Sequence, residues 1–73
     1  MTHQQLLEYQ KLYETFDNNQ KYALRNYAKK SLREKGFEEF GSSDISVEVL
    51  GLLHEANGDV SKVINHIYTH NLY

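Results

Sequence analysis

His66 and His70 stand four residues apart near the end of the chain, the spacing at which two imidazoles on one helix share a face and can hold a transition metal. His54, on the preceding segment, is the one other histidine placed to approach them. A closed site needs four ligands and the chain has no cysteine, so two solvated imidazoles are expected and no metal centre. Glu38 and Glu39 are adjacent, and adjacent side chains diverge on a strand or a helix, which makes them a poor acid and base pair. Asp59 lies where a helix must start, and capping accounts for its carboxylate. Ser31, Ser42, Ser43, Ser46 and Ser61 have no histidine or acid arranged around them as a nucleophile requires. The four glycines, Gly36, Gly41, Gly51 and Gly58, are scattered singly, so no phosphate-cradling loop is formed. The chain is therefore expected to be non-enzymatic, with no cofactor.

Binding is the chemistry that remains. Six of the eight basic residues, Lys21, Arg25, Lys29, Lys30, Arg33 and Lys35, fall within fifteen positions. Lys21, Arg25, Lys29, Lys30 and Arg33 could form a ridge that neutralises phosphates, with Tyr22 and Tyr27 stacking on bases. Against that stand a net charge of −2, the interruption by Glu34 and the place of Tyr27 on an apolar face; the plain alternative is a solvated face, or one paired with acidic side chains of the first helix. The six tyrosines and three phenylalanines are the larger excess, because a core this small cannot easily cover them and tyrosine suits a surface that is wet alone and dry in a complex. The candidate protein-binding residues are Gly36, Phe37, Phe40, Tyr68, Leu72 and Tyr73. The competing reading is that Phe37, Phe40 and Tyr68 seal the core.

The elements that position these residues are all helical. Leu6, Tyr9, Tyr13 and Phe16 step by three and four, predicting a first helix over about 2–16 with Thr2 as its cap. Asp17, Asn18 and Asn19 break it and can cap a second helix over about 19–35. The short break predicts that these two helices fold back on each other. Leu24, Tyr27, Ala28, Ser31 and Leu32 share one face of the second helix, and Gly36 ends it. The segment 37–44 lacks periodicity, and at least one of its phenylalanines is expected under the bundle. Ser43 or Asp44 can cap a third helix over about 45–57 carrying Val49, Leu50, Leu53 and Ala56, in which Gly51 would let another helix approach. Asn57 and Gly58 close that helix, Gly58 in the left-handed conformation, and Asp59 opens a fourth over about 60–71 with Val60, Val63, Ile64, Ile67 and Tyr68 at helical spacing.

With 73 residues the chain makes one domain, and a domain of this size buries only about 60% of the surface its unfolded form exposes. No enzyme-sized cleft is expected. The first ten residues lack a basic region followed by an apolar run, and no stretch approaches the roughly 18 apolar residues that span a bilayer. The expectation is a protein without a membrane partner, and the absence of cysteine fits a reducing cytoplasm.

The residues LREKGF (Leu32 to Phe37) followed by LLHEANGDVSKVINHIY (Leu52 to Tyr68) resemble the ubiquitin-associated (UBA) type of three-helix domain. Gly36-Phe37 is similar to that family's glycine-aromatic loop, and Asn57-Gly58-Asp59 to its short turn; the phrase is similar also to the amino-terminal module of elongation factor Ts. The resemblance implies a UBA-like unit from the second to the fourth helix, with the first helix extra, and a contact surface made by the loop and the end of the last helix. Lys35 stands where ubiquitin-binding members usually have methionine. The resemblance thus implies a fold and a protein partner without naming that partner.

The sequence reads as an all-α, compact four-helix bundle that recruits or regulates a protein partner through the loop after Gly36 and the end of the fourth helix. The alternative is a small nucleic-acid-binding regulator using the basic helix. Self-association through exposed tyrosines is compatible with either, since small domains gain stability by oligomerising.

Overall fold

Four helices follow one another in the computed structural model, which describes residues 2–73: α1 (His3–Glu14), α2 (Asn18–Glu34), α3 (Ser42–Glu55) and α4 (Val60–Thr69). The described residues contain no strand, and the fold is all-α.

Three of the four helix starts have a side-chain acceptor for a free first-turn N–H group. Thr2 caps α1 in a reciprocal box: the Gln5 N–H donates to Thr2 Oγ1 at 3.1 Å, and the Thr2 N–H donates to Gln5 Oε1 at 2.9 Å. Asp17 and Gln20 repeat the arrangement for α2 at 2.7 and 3.1 Å. Asp59 Oδ1 accepts from the Lys62 N–H at 3.1 Å to open α4. The start of α3 departs from expectation: Gly41, in extended conformation, is the N-cap, and neither Ser43 nor Asp44 takes that role. Asp44 lies one turn inside, where its carboxylate accepts the Gly41 N–H at 3.0 Å. The helix consequently begins at Ser42, and the irregular segment shrinks to residues 37–41.

Three helix ends share one hydrogen-bond pattern, in which a left-handed residue turns the chain and the next N–H reaches back five residues to a helix carbonyl. Gly36 (φ 97°) turns α2, and the Phe37 N–H donates to the Leu32 carbonyl at 3.1 Å. Asn57 (φ 54°) turns α3, and the Gly58 N–H donates to Leu53 at 2.9 Å. Asn71 (φ 53°) turns α4, and the Leu72 N–H donates to Ile67 at 2.9 Å. Asn57 thus occupies the closing position expected of Gly58, which comes next as a second left-handed residue with φ 77°.

The core is built from stripes at helical spacing: Leu24, Ala28 and Leu32 on α2; Ile45, Val49 and Leu53 on α3; Val63 and Ile67 on α4; and Tyr9 with Phe16 from the first segment. Leu24, Leu53 and Ile67 are fully enclosed, and burial of each is worth about 1.5–3 kcal/mol. Helix α2 packs on α3 and α4, while α1 rests mainly on α3. The expected pairing of the first two helices is not what forms. The Tyr9 hydroxyl shares a hydrogen bond of 3.2 Å with His54 Nδ1, and Tyr9 and Leu12 lie over the α3–α4 turn, 3.7 and 3.5 Å from where a Cβ on Gly58 would sit. The apolar residues Tyr9 and Leu12 of α1 are thus taken up against α3 and the turn that follows it, while α2 spends its own apolar face on α3 and α4. Nor does Gly51 admit a neighbour, since nothing lies within 4 Å of its Cβ position.

Candidate protein-binding surface

The turn at Gly36 directs the chain beyond α2. Because the Phe37 N–H is bound to Leu32, the Phe37 side chain is carried to the rim, where it stays 50% exposed. Phe40 returns toward the bundle and packs partly against the core, with the Arg33 guanidinium carbon 5.6 Å from its ring centre. The expectation that one phenylalanine tucks in is met by Phe40. At the other end, the left-handed Asn71 folds the chain over α4, so Leu72 packs partly against the core and the Tyr73 ring comes to 5.2 Å from that of Tyr68. Tyr68 and Tyr73 remain 43% and 55% exposed. The six candidates therefore divide into three outward aromatic rings, Phe37, Tyr68 and Tyr73, two supports that turn partly inward, Phe40 and Leu72, and Gly36, which shapes the backbone.

The basic residues of α2, and Lys35 at its C-cap, are mostly engaged within the molecule. Lys21 Nζ lies 3.3 Å from Glu14 Oε2 and 5.5 Å from the centre of the Tyr13 ring. Arg25 donates to the hydroxyls of Ser46 and Ser42 at 3.4 and 3.2 Å, and Arg33 covers Phe40. Lys35 Nζ donates to both oxygens of Glu48 at 2.8 and 3.1 Å, while Ser31 Oγ donates to Glu48 Oε1 at 2.8 Å. Burial pushes the Glu48 carboxyl up; the hydrogen bonds from Lys35 and Ser31, with the Lys35 charge, outweigh it and hold Glu48 below its ordinary range. The hydrogen bond to Glu48 raises the Lys35 ammonium against a smaller opposing effect of burial. Lys29 and Lys30 have no ion-pair partner among the described residues.

His66 and His70 are both exposed. His54 turns toward α1, where its ring meets Tyr9 edge-on at 5.6 Å, and so does not join His66 and His70. The rings of His66 and His70 lie 4.6 Å apart, and Tyr27 of α2 tilts against His66 at 5.8 Å. Among the described residues no group of three or more His, Cys, Asp or Glu side chains could hold a metal ion.

Two shallow grooves were not foreseen. One of about 580 Å³ between α1, α2 and α3 is lined by Leu7, Tyr13, Val49 and Leu50, with Lys11, Glu14 and Arg25 at its rim. A smaller one of about 290 Å³ lies between Tyr27, Leu52, Ala56, Val63 and His66, with Glu55 and Lys62. Leu7, 45% exposed, stands off the apolar stripe of α1, which was the available signal for the first groove. No described helix is long and apolar enough to cross a membrane. In comparisons with known protein families, curated proteins and solved structures, the chain matches none.

Proposed function

We propose that this chain is a small, non-enzymatic protein-binding module that recruits or regulates a partner through Phe37 and the Tyr68–Tyr73 pair, with Gly36, Phe40 and Leu72 shaping and supporting them. The observation that carries the reading is the outward placement of three large aromatic rings on a bundle whose core is closed by Leu24, Leu53 and Ile67 without them. Rings of this kind bury about 150–250 Å² each in a contact. A UBA-like relationship for α2 to α4 belongs to the same proposal. The glycine-aromatic turn after α2, the Asn57-Gly58-Asp59 turn and the packing of α2 on α3 and α4 support it. Lys35, in the position before that glycine, is occupied with Glu48, which favours a partner other than ubiquitin. A reducing cytoplasm remains the proposed setting because the chain has no cysteine.

Engagement of Lys21, Arg25, Arg33 and Lys35 within the fold supports this reading over phosphate binding by α2. The test is affinity capture with the wild-type chain and with Phe37→Ala, at low and high salt, with and without nuclease. A discrete protein that survives salt and nuclease and is lost with a folded Phe37→Ala supports the module. Recovery that vanishes with salt or nuclease turns the function to Lys21, Arg25, Lys29, Lys30 and Arg33, since each phosphate contact releases condensed counterions.

A further inference from the structure

We propose that His66 and His70 form a labile chelating site for an imidazole-seeking divalent transition ion at the end of α4, with His66 in its last turn and His70 at its C-cap. Both side chains are exposed, and neither has a hydrogen-bond partner among the described residues, in contrast to His54, which Tyr9 holds. Their relative position is set by the helix: the His70 N–H donates to the His66 carbonyl at 3.1 Å, so the two residues remain one turn apart on one face.

The two rings, with centres 4.6 Å apart, are close enough for each to bind one ion through a metal–nitrogen bond of about 2.0–2.1 Å. An imidazole pair that leaves the other positions open suits copper(II) and nickel(II), which take square or octahedral nitrogen and oxygen coordination, over zinc, and all three over magnesium and calcium, which prefer oxygen donors. Water fills the remaining positions, because among the described residues no third ligating side chain stands close enough, and the site is open and exchangeable for that reason. Tyr27 of α2 lies beside His66, with ring centres 5.8 Å apart. Among the groove residues beside His66, the charged ones are Glu55 and Lys62, of opposite sign, so neither sign of local field dominates.

Chelation requires the folded α4, and an ion bound to the folded state alone raises the unfolding temperature. The experiment measures thermal unfolding by circular dichroism with Cu²⁺, Ni²⁺, Zn²⁺ and Mg²⁺. A His3→Ala background removes the exposed imidazole at the other end of the chain. The expected result is a rise of roughly 5 °C or more with saturating Cu²⁺ or Ni²⁺, a smaller rise with Zn²⁺ and none with Mg²⁺. His66→Asn and His70→Asn, both at exposed positions, each abolish the rise while leaving the helical spectrum unchanged. In parallel, Zn²⁺ shifts the imidazole proton signals of His66 and His70 together and spares His54. The absence of a rise with all three transition ions, a rise that persists in His70→Asn, or zinc shifts confined to His54 overturns the proposal.

Discussion

Gly51 sits inside α3 with open space where a Cβ would point, and a helix-interior glycine costs about 1 kcal/mol relative to alanine. Gly51→Ala is therefore expected to stabilise the protein by about that amount, read as an increase of several degrees in the midpoint of thermal unfolding. Glu48 gives a second prediction, in pH. Its folded carboxyl titrates below the ordinary value of 4.5, so its contribution is fully present above that value and is lost as pH falls through the lower, folded one. Lys35 behaves oppositely: raised above 10.5, it contributes below that value and ceases to do so as pH rises through the folded one. Urea unfolding at about pH 6 and about pH 3 should show a smaller acid loss in Glu48→Gln than in the wild type. Equal losses in the two proteins would remove Glu48 from the account. At this scale Thr2 and Asp59 were readable as caps because their side chains precede periodic apolar runs. Asp44 was misplaced because an acidic residue looks the same in sequence whether it caps a helix or reaches back from the third position, and Gly41 offers no side chain to decide between them. Phe37 and Phe40 were both readable as candidates, but a segment without periodicity carries no signal for which ring turns inward.

At the scale of the element, α1 differs from its neighbours in how it is attached. Helix α2 contributes Ala23, Leu24, Ala28 and Leu32 to the buried core, whereas α1 contributes Tyr9 alone and is fastened by the Tyr9–His54 hydrogen bond and the packing over Gly58. Regions with few buried apolar contacts open first. Amide hydrogen exchange followed by NMR should therefore find α1 less protected than α2 and α3, and Tyr9→Phe should lower its protection further, by about 0.5–1.5 kcal/mol. Uniform protection across the four helices would instead make α1 part of one cooperative unit. All four helices were legible from apolar spacing, since Leu24, Ala28 and Leu32, or Val63 and Ile67, mark a face directly. The neighbour of each face was not legible. The short break at Asp17 suggested that α1 lies along α2, but periodicity states only that a face is buried, and the partner is chosen by long-range contacts such as Tyr9 with His54.

For the molecule as a whole, the radius of gyration is 11.6 Å, close to the roughly 11 Å expected of a folded chain this long. A domain of such size has a stability of about 4–11 kcal/mol, at roughly 0.05–0.15 kcal/mol per residue. Leu53→Ala, at a fully enclosed position, removes about 2–5 kcal/mol and is expected to leave a substantial unfolded fraction in circular dichroism at body temperature. Phe37→Ala, at a half-exposed position, should cost at most about 1 kcal/mol. If the two variants melt alike, Phe37 belongs to the core and cannot serve as a contact residue. The turn between α3 and α4 has a further consequence, for the covalent lifetime of the chain. An asparagine followed by glycine deamidates when the glycine nitrogen attacks the asparagine side-chain carbonyl carbon and expels ammonia, closing a succinimide that water opens to aspartate or isoaspartate. In the folded protein the Gly58 nitrogen is held by its hydrogen bond to Leu53 at 2.9 Å, and the left-handed Asn57 and Gly58 fix the backbone of the dipeptide. Isoaspartate at Asn57, measured by mass spectrometry of stored samples, should accumulate slowly under native conditions and quickly in urea, so that the modified fraction records the time each molecule has spent unfolded.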